Sequence, residues 1–385
     1  GQLSCPVGDK MRRPEAVLRL DNVGVAYEGL EPELKKLSGK VRVSDSACFL
    51  TDMRGQLGKG RVILPSGRFG ITQDKITSVS ARGSIHNVDV ERLTRPSSPL
   101  SEYTSGNWGS LESGRLGGEF RVNWERGQKT VYKAEVSFRN AVARLSKFGQ
   151  RFSELDMNVT VDSGGSVEIE SFRGTVAGGK VEVSGGFQLE EGALKEPYLD
   201  VLLSRVKPTG EAASKIAPHV GKVVKEAGLV EPRVAGKVSV RPSEVSCDLQ
   251  VEASKLEPRV VDYAVTDFST RIRWSSTQQE VRVTDFQASR KNGRIEGKFS
   301  VTTKKDPKLD TSLSARALPI DEHLLQIFPD SMQKSLHKLN PGGDLNLSVQ
   351  CSGWKIPAEM SVESLKGFGV EAELNGVHFS LPEIP

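Results

Sequence analysis

The amino-acid sequence predicts a mainly β fold in which one pattern of antiparallel strands repeats along the chain. Aromatic residues make up only 6% of the 385 residues and 38 residues are glycine, so the apolar content is aliphatic and turns are frequent. Many short segments alternate apolar and polar residues, as strands with one solvated face do. In addition, a hairpin motif returns at a nearly constant spacing.

The clearest copy of the motif is the segment 172–183. Its apolar residues on one face are Phe172, Val176, Val181 and Val183. We expect Gly178-Gly179 to form its two-residue turn, because such turns need positive φ angles. The motif returns at Met53, 119 residues before Phe172, and at Phe286, 114 residues after it. The repeat is therefore about 115 residues long.

The segments on either side of each hairpin recur at the same spacing of about 115 residues, and they predict the remaining elements of each unit. Strands are expected before the hairpins at 37–43, 155–161 and 268–274, and closing strands at 116–122, 234–240 and 342–349. One helix is expected between each hairpin and the closing strand that follows it, at 211–227 in the second unit and at 321–339 in the third. In the first unit the corresponding segment 95–107 is rich in Ser and Pro and predicts a loop.

The repeat divides the chain into 1–133, 134–246, 247–357 and the start of a fourth unit at 358–385. Two arrangements fit this division. Each unit could be a separate β-sandwich, or the strands could continue as one sheet whose apolar face curls inward. The sequence begins and ends in the middle of a repeat, whereas a cut between separate domains would fall in a linker. This favours the continuous sheet.

The strands predict one apolar face and one polar face along the sheet. The candidate lining residues of the apolar face are Val41, Val43, Val136, Phe138, Val159, Val161, Phe172, Val176, Val181, Val183, Val238, Val240, Val281, Val283, Leu345, Leu347 and Val349. Such a face could line a groove for lipid. It could equally form a closed core, because every sheet needs a buried face.

Composition and motifs argue against catalysis, cofactors, metals and nucleic acid. The net charge is +4 without long basic runs, so no nucleic-acid partner is predicted. The four cysteines lack CxxC spacing and the five histidines lack metal-site spacing, so no metal site is predicted. Neither a Gly-x-Ser-x-Gly motif nor a phosphate-binding loop is present, so no catalytic residue is predicted. The sequence begins with Gly1 and has no stretch of 18 apolar residues, so we expect a piece of a longer protein whose membrane anchor lies outside it.

Several motifs resemble a known family. They are the Phe-x-Gly/Ala, Gly-Gly-x-Val and Gly-x-Phe elements of the hairpins, the segments 310–314 (DTSLS) and 319–325 (PIDEHLL), and the segment 339–345 (LNPGGDL). With these motifs the chain is similar to the AsmA/TamB/YhdP group of bacterial envelope proteins. The resemblance implies an elongated, repetitive antiparallel β-groove, called a β-taco, of about three units with one short helix each. This sequence departs from the family pattern because it lacks the usual N-terminal membrane helix.

The resemblance implies that the protein carries phospholipid or another acyl-chain lipid through the periplasm, between the membranes of the envelope, and supports outer-membrane biogenesis. It also implies a tether to the inner membrane by the missing helix and partners among envelope proteins. The alternative hypothesis is a passive structural or adhesive β-repeat protein with closed cores. Neither hypothesis requires catalysis.

Overall fold

A computed structural model describes most of the chain. The residues that it describes are 16–27, 30–44, 46–72, 75–93, 110–145, 150–190, 193–208, 228–258, 263–302, 307–326, 333–334, 338, 341–355 and 369–379.

The fold is mainly β, as predicted. The strands are β1 (Ala16–Tyr27), β2 (Leu30–Ser44), β3 (Ala47–Leu57), β4 (Gly60–Thr72), β5 (Lys75–Asp89), β6 (Ser110–Glu125), β7 (Val131–Leu145), β8 (Gln150–Asp162), β9 (Ser166–Val176), β10 (Gly179–Glu190), β11 (Ala193–Val206), β12 (Leu229–Val230), β13 (Arg233–Val240), β14 (Val245–Leu256), β15 (Val265–Ser275), β16 (Glu280–Arg290), β17 (Gly293–Thr302), β18 (Lys308–Pro319), β19 (Pro341–Lys355) and β20 (Gly369–Phe379). The helices are α1 (Val90–Leu93) and α2 (Glu322–Leu325). Hydrogen bonds join all twenty strands into one sheet, so a separate sandwich for each unit is wrong for the described residues.

The chain divides into two compact units. Unit 1 comprises Gly1–Val176 and Val181–Leu199, and unit 2 comprises Ala177–Lys180 and Asp200–Pro385. Within each unit consecutive strands pair antiparallel as a meander, except that the two-residue strand β12 pairs with β14, beside β13. Among the described residues, β1 pairs only with β2 and β20 only with β19, so both are edge strands.

α1 joins strands of unit 1 that are not neighbours in the sheet. This helix follows β5 directly and contacts both β2 and β6, which lie four strands apart.

β-Bulges recur at matching positions in the repeat. Lys36, Glu154 and Asp267 all have positive φ and lie at register shifts of β2, β8 and β15, with spacings of 118 and 113 residues. A second set of positive-φ residues lies near the ends of β5, β11 and β18; they are Asn87, Arg205 and Ala317, and the register shifts beside them in β5 and β18. Each bulge inserts one residue and shifts the alternation by one position, so both halves of a strand keep their apolar side chains on the same face.

The three predicted hairpins are present, but the predicted turn residues are wrong by one position. Ala177 and Gly178 have the positive φ angles and form the two-residue loop, while Gly179 is the first residue of β10. Gly179 is required for a different reason. A Cβ on it would overlap the backbone of Val206 in β11, and Gly60 and Gly293 meet β5 and β18 in the same way. The shared glycine therefore permits a close approach of two strands.

The core of the described residues consists of small clusters. The clusters are Leu57 with Val88, Val251 with Ala253 and Phe268, and Ala315 with Leu318, Leu324 and Leu345. Val88 and Val90 are the largest described side chains that are less than 2% exposed. A core between two packed layers would also bury side chains larger than valine completely, so the described residues do not form such a core.

The helix predictions are only partly covered by the described residues. The predicted helix at 321–339 is observed at its start, as α2. The helix predicted at 211–227 and the loop predicted at 95–107 lie outside the described residues.

Candidate functional site

The unit 1 apolar face is a set of uncharged rows that run across the strands. Residues paired directly across an antiparallel ladder point to the same side, so the pairing register defines each row. From β2 to β6 the rows are Val43, Cys48, Phe69, Val79 and Trp124, and Val41, Leu50, Gly67, Ala81 and Val122. From β5 to β9 they are Gly83, Phe120, Ala134, Val161 and Val167; Ile85, Gly118, Val136, Val159 and Ile169; and Val88, Leu116, Phe138, Met157 and Phe172.

The unit 2 apolar face has the same construction. From β13 to β19 its rows are Val238, Cys247, Trp274, Val281, Val301, Leu309 and Trp354, and Gly236, Leu249, Ile272, Val283, Phe299, Thr311 and Cys351. From β16 to β20 they are Phe286, Gly297, Leu313, Val349 and Val370, and Ala288, Ile295, Ala315, Leu347 and Ala372. No charged residue occupies any of these positions.

Pairing places twelve of the seventeen predicted lining residues in these rows. Outside the rows, Val176 pairs with Phe152, Val240 with Val245 and Leu345 with Leu318. In β10, Val181 and Val183 are two residues apart and so share a face. Val176, Val181, Val283 and Leu345 are buried. The others are partly exposed, so the described residues cover the apolar faces incompletely.

Small residues in the rows keep the apolar surface even. Gly83 lies between Ile63 and Phe120, and a Cβ on it would come within 2.8 Å of the Phe120 ring. The space that a Cβ on Gly297 would need is similarly occupied by the Leu313 side chain. Large side chains therefore lie over glycines of the neighbouring strand.

Sequence reasoning missed several members of the faces. Three tryptophans and three cysteines occupy row positions: Trp124, Trp274, Trp354, Cys48, Cys247 and Cys351. Their parity with neighbouring valines was the available signal. Burial raises the pKa of the three thiols above the usual value, which keeps them protonated and unreactive as small apolar side chains.

α2 covers one end of the unit 2 apolar face. Leu324 packs in the cluster with Ala315, Leu318 and Leu345, beside Leu347. The Asp321 carboxylate caps the helix by accepting from the Leu324 amide at 3.0 Å, and it also accepts from Arg290 at 2.9 Å. Burial opposes ionisation of this carboxyl, but the donated hydrogen bonds outweigh burial and lower its pKa. The Arg290 guanidinium lies 4.2 Å from the Tyr263 ring centroid and fixes the cap to the sheet.

The polar face of unit 2 carries paired charges. Asp248 accepts from Arg271 at 2.6 Å and from Arg273 at 3.1 Å, and Asp200 accepts from Arg241 at 2.9 Å. Hydrogen bonds from Arg271 lower the pKa of Asp248, and a hydrogen bond from Ser239 lowers that of Asp200. These are exposed cross-strand ladders with a structural role.

Within the described ranges, no group of three His, Cys, Asp or Glu side chains is placed to hold a metal ion. Over the same ranges, no helix has the length and apolar character to span a bilayer.

Comparison of the chain with protein-family models, with curated proteins and with solved structures finds no match. The similarity to the AsmA/TamB/YhdP group therefore rests on the sequence motifs.

Proposed function

We propose that the two apolar faces hold the acyl chains of phospholipid or of another acyl-chain lipid, and that the protein carries such lipid between membranes of a bacterial envelope. The observation that carries the proposal is the extent of the uncharged rows. They cross up to seven consecutive strands without a charged position, and most of their side chains are partly exposed.

The energetics suit binding without a single fixed site. Each methylene that leaves water for an aliphatic lining gains about 0.8 kcal/mol. This gain has no preferred direction along the rows, because no charged side chain interrupts them. Their hydrogen-bonding groups include the Thr311 hydroxyl and three indole N–H groups. An acyl chain would be held firmly and would still slide. No chemical step is required of the protein.

The envelope setting, the inner-membrane tether and the envelope partners are supported by the family resemblance alone. Attachment of the natural full-length protein to the inner membrane is tested by separating the two membranes on a density gradient. Recovery of the protein in fractions without membrane would contradict the tether and leave lipid binding to be decided by the experiments below.

Photocrosslinking tests lipid binding directly. A photoreactive phenylalanine derivative at Val161 or Val283 should form covalent adducts with cellular phospholipid, detected by mass spectrometry of the purified protein. The matched controls are the adjacent residues Thr160 and Arg282, which point to the polar face. We expect adducts at the apolar positions and about tenfold fewer at the controls. Equal labelling of both faces, or none on either, would contradict the proposal.

Native mass spectrometry separates the proposal from the alternative of a passive structural β-repeat. A lipid-carrying protein should be purified with bound phospholipid that organic extraction releases. A structural repeat with closed cores would contain none.

A further inference from the structure

The polar face of unit 1 carries an array of basic residues. In the paired positions from β1 to β7, one row is Val17, Arg42, Phe49, Arg68, Ser80 and Asn123, and the other is Arg19, Lys40, Thr51, Ser66, Arg82, Arg121 and Lys133. All seven bases are exposed. Neither row contains a carboxylate from β1 to β7, and the next position of the second row, opposite Lys133 in β8, is Asp162.

This arrangement opposes the stability of the sheet. Arg19 is paired directly with Lys40, and Arg121 directly with both Arg82 and Lys133. Like charges at directly opposite positions are destabilising. On the polar face of unit 2, by contrast, Arg271 and Arg282 each have a carboxylate within 3 Å. Lys40, Arg42 and Arg68 make no ion pair with any described residue of the chain.

Two of these arginines are held in place by an aromatic ring. The guanidinium carbons of Arg42 and Arg68 lie 4.7 and 5.7 Å from the Phe49 ring centroid. Cation–π contact fixes the planar groups without using their N–H donors. The donors therefore remain available to an external acceptor.

A cavity of about 490 Å³ opens at the same place. Its polar lining consists of Lys40, Arg42, Arg68, Thr51, Ser66 and Ser80. Three cationic groups with hydroxyl groups beside them are the donor set that phosphate oxygens select, because both charge and multiple N–H or O–H donors are present.

We propose that Lys40, Arg42 and Arg68 form a binding site for a phosphate group on the polar face of unit 1, separate from the apolar faces. The phosphate is that of a phospholipid headgroup or of a soluble phosphate compound, since the chemistry of recognition is the same for both. Binding neutralises the unpaired charges, so the site is expected to stabilise the sheet when it is filled.

The test compares thermal unfolding of the intact chain in 10 mM sodium pyrophosphate and in sodium chloride of equal ionic strength, with vesicle co-sedimentation as a second assay. The variant is Arg42→Gln/Arg68→Gln. Its matched control is Lys180→Gln/Lys298→Gln, which removes the same charge from exposed polar-face positions elsewhere. For the wild type and the control we expect pyrophosphate to raise the melting temperature by several degrees beyond chloride, or vesicles with 30% phosphatidate to bind at least about tenfold more tightly than pure phosphatidylcholine vesicles.

The two assays distinguish the source of the phosphate. Stabilisation by pyrophosphate indicates a soluble compound, and binding to phosphatidate vesicles alone indicates a headgroup. In either case the double variant should lose at least about tenfold in apparent affinity, while its melting temperature in chloride stays equal or rises. A lower melting temperature in chloride with an unchanged phosphate response would show a purely structural role and overturn the proposal. Equal effects of pyrophosphate and chloride, together with no preference for phosphatidate, would also overturn it.

Discussion

At the scale of single residues, the glycine shared by the three hairpins shows how strand packing selects a residue type. Gly60, Gly179 and Gly293 each begin a strand and each face the backbone of the following strand. The neighbouring loop residues, not these glycines, supply the positive φ angles. The restriction is therefore steric and comes from a partner about 25 residues further along the chain.

Gly293→Ala should destabilise the protein by about 1–3 kcal/mol, since the new methyl group would lie within 3 Å of Ala317 O and Leu318 Cα. The control is Gly24→Ala, where a Cβ meets no atom within 4 Å. Urea unfolding followed by circular dichroism measures both. Equal stability of the two variants would contradict the close-approach explanation.

Asp248→Asn should make stability less dependent on pH in acid. The folded-state pKa of Asp248 lies below the unfolded value of about 3.9, so its ion pairs stabilise the protein fully above about pH 4 and are lost as the pH falls through the folded pKa. The variant should be less stable at pH 7 by up to about 1 kcal/mol, because the pair is largely solvent-screened. The difference should shrink as the pH falls below about 4 and through the folded-state pKa. Asp21→Asn, which removes a carboxylate without a described ion pair, serves as the control and should show no such difference.

At the scale of elements, the alternation of apolar and polar residues was sufficient to predict the strands, their two faces and the position of each hairpin. It could not predict the bulges. Asn87 is a residue type that tolerates positive φ, but Lys36, Glu154 and Ala317 carry no such signal. Their conformation follows from the shift in pairing between neighbouring strands, which is a property of two strands and not of one.

The position of α1 was also beyond sequence reasoning. α1 is a single turn, too short to give a helical period, and its contacts with β2 and β6 join segments that are distant in the sequence. The alternation of Val159 and Val161 with polar residues predicts an apolar face in a flat sheet and in a curved one equally. Whether such a face becomes a groove is decided by these long-range contacts.

Leu324→Ala should test how strongly α2 holds its end of the unit 2 apolar face. Leu324 is 6% exposed and packs on Leu318 and Leu345, so its truncation should cost about 2–4 kcal/mol. Glu322→Ala, on the exposed side of the same helix, should cost less than about 1 kcal/mol. Both are measured by urea unfolding. If the Leu324 variant matches the Glu322 variant, α2 does not stabilise the sheet.

At the scale of the whole molecule, the strand pattern repeats. β3–β4, β9–β10 and β16–β17 are equivalent hairpins, and β5, β11 and β18 carry equivalent positive-φ residues near their ends. The first step of the repeat is six strands and the second is seven, because the two-residue strand β12 is added and pairs, like β13, with β14. Uncharged rows occur in both units. Each unit therefore has an apolar face of its own, and lipid binding can be examined in one while the other is left intact.

Placing a carboxylate in one apolar face should remove lipid from that unit alone. Val122→Asp should reduce crosslinking from Val161 by at least about tenfold and leave crosslinking from Val283 unchanged, and Ile272→Asp should do the reverse, because burying a charge against acyl chains is costly. Asn123→Asp and Ser269→Asp add the same charge on the polar face and should change neither. Val122→Thr keeps the shape of the side chain and adds a hydroxyl group, which costs less to bury than a carboxylate. This variant should stay folded and should lose an intermediate amount of crosslinking from Val161. Circular dichroism confirms that each variant retains its β content. If Asp at position 122 and Asp at position 123 reduced crosslinking equally, lipid would not be contacting the apolar face of unit 1.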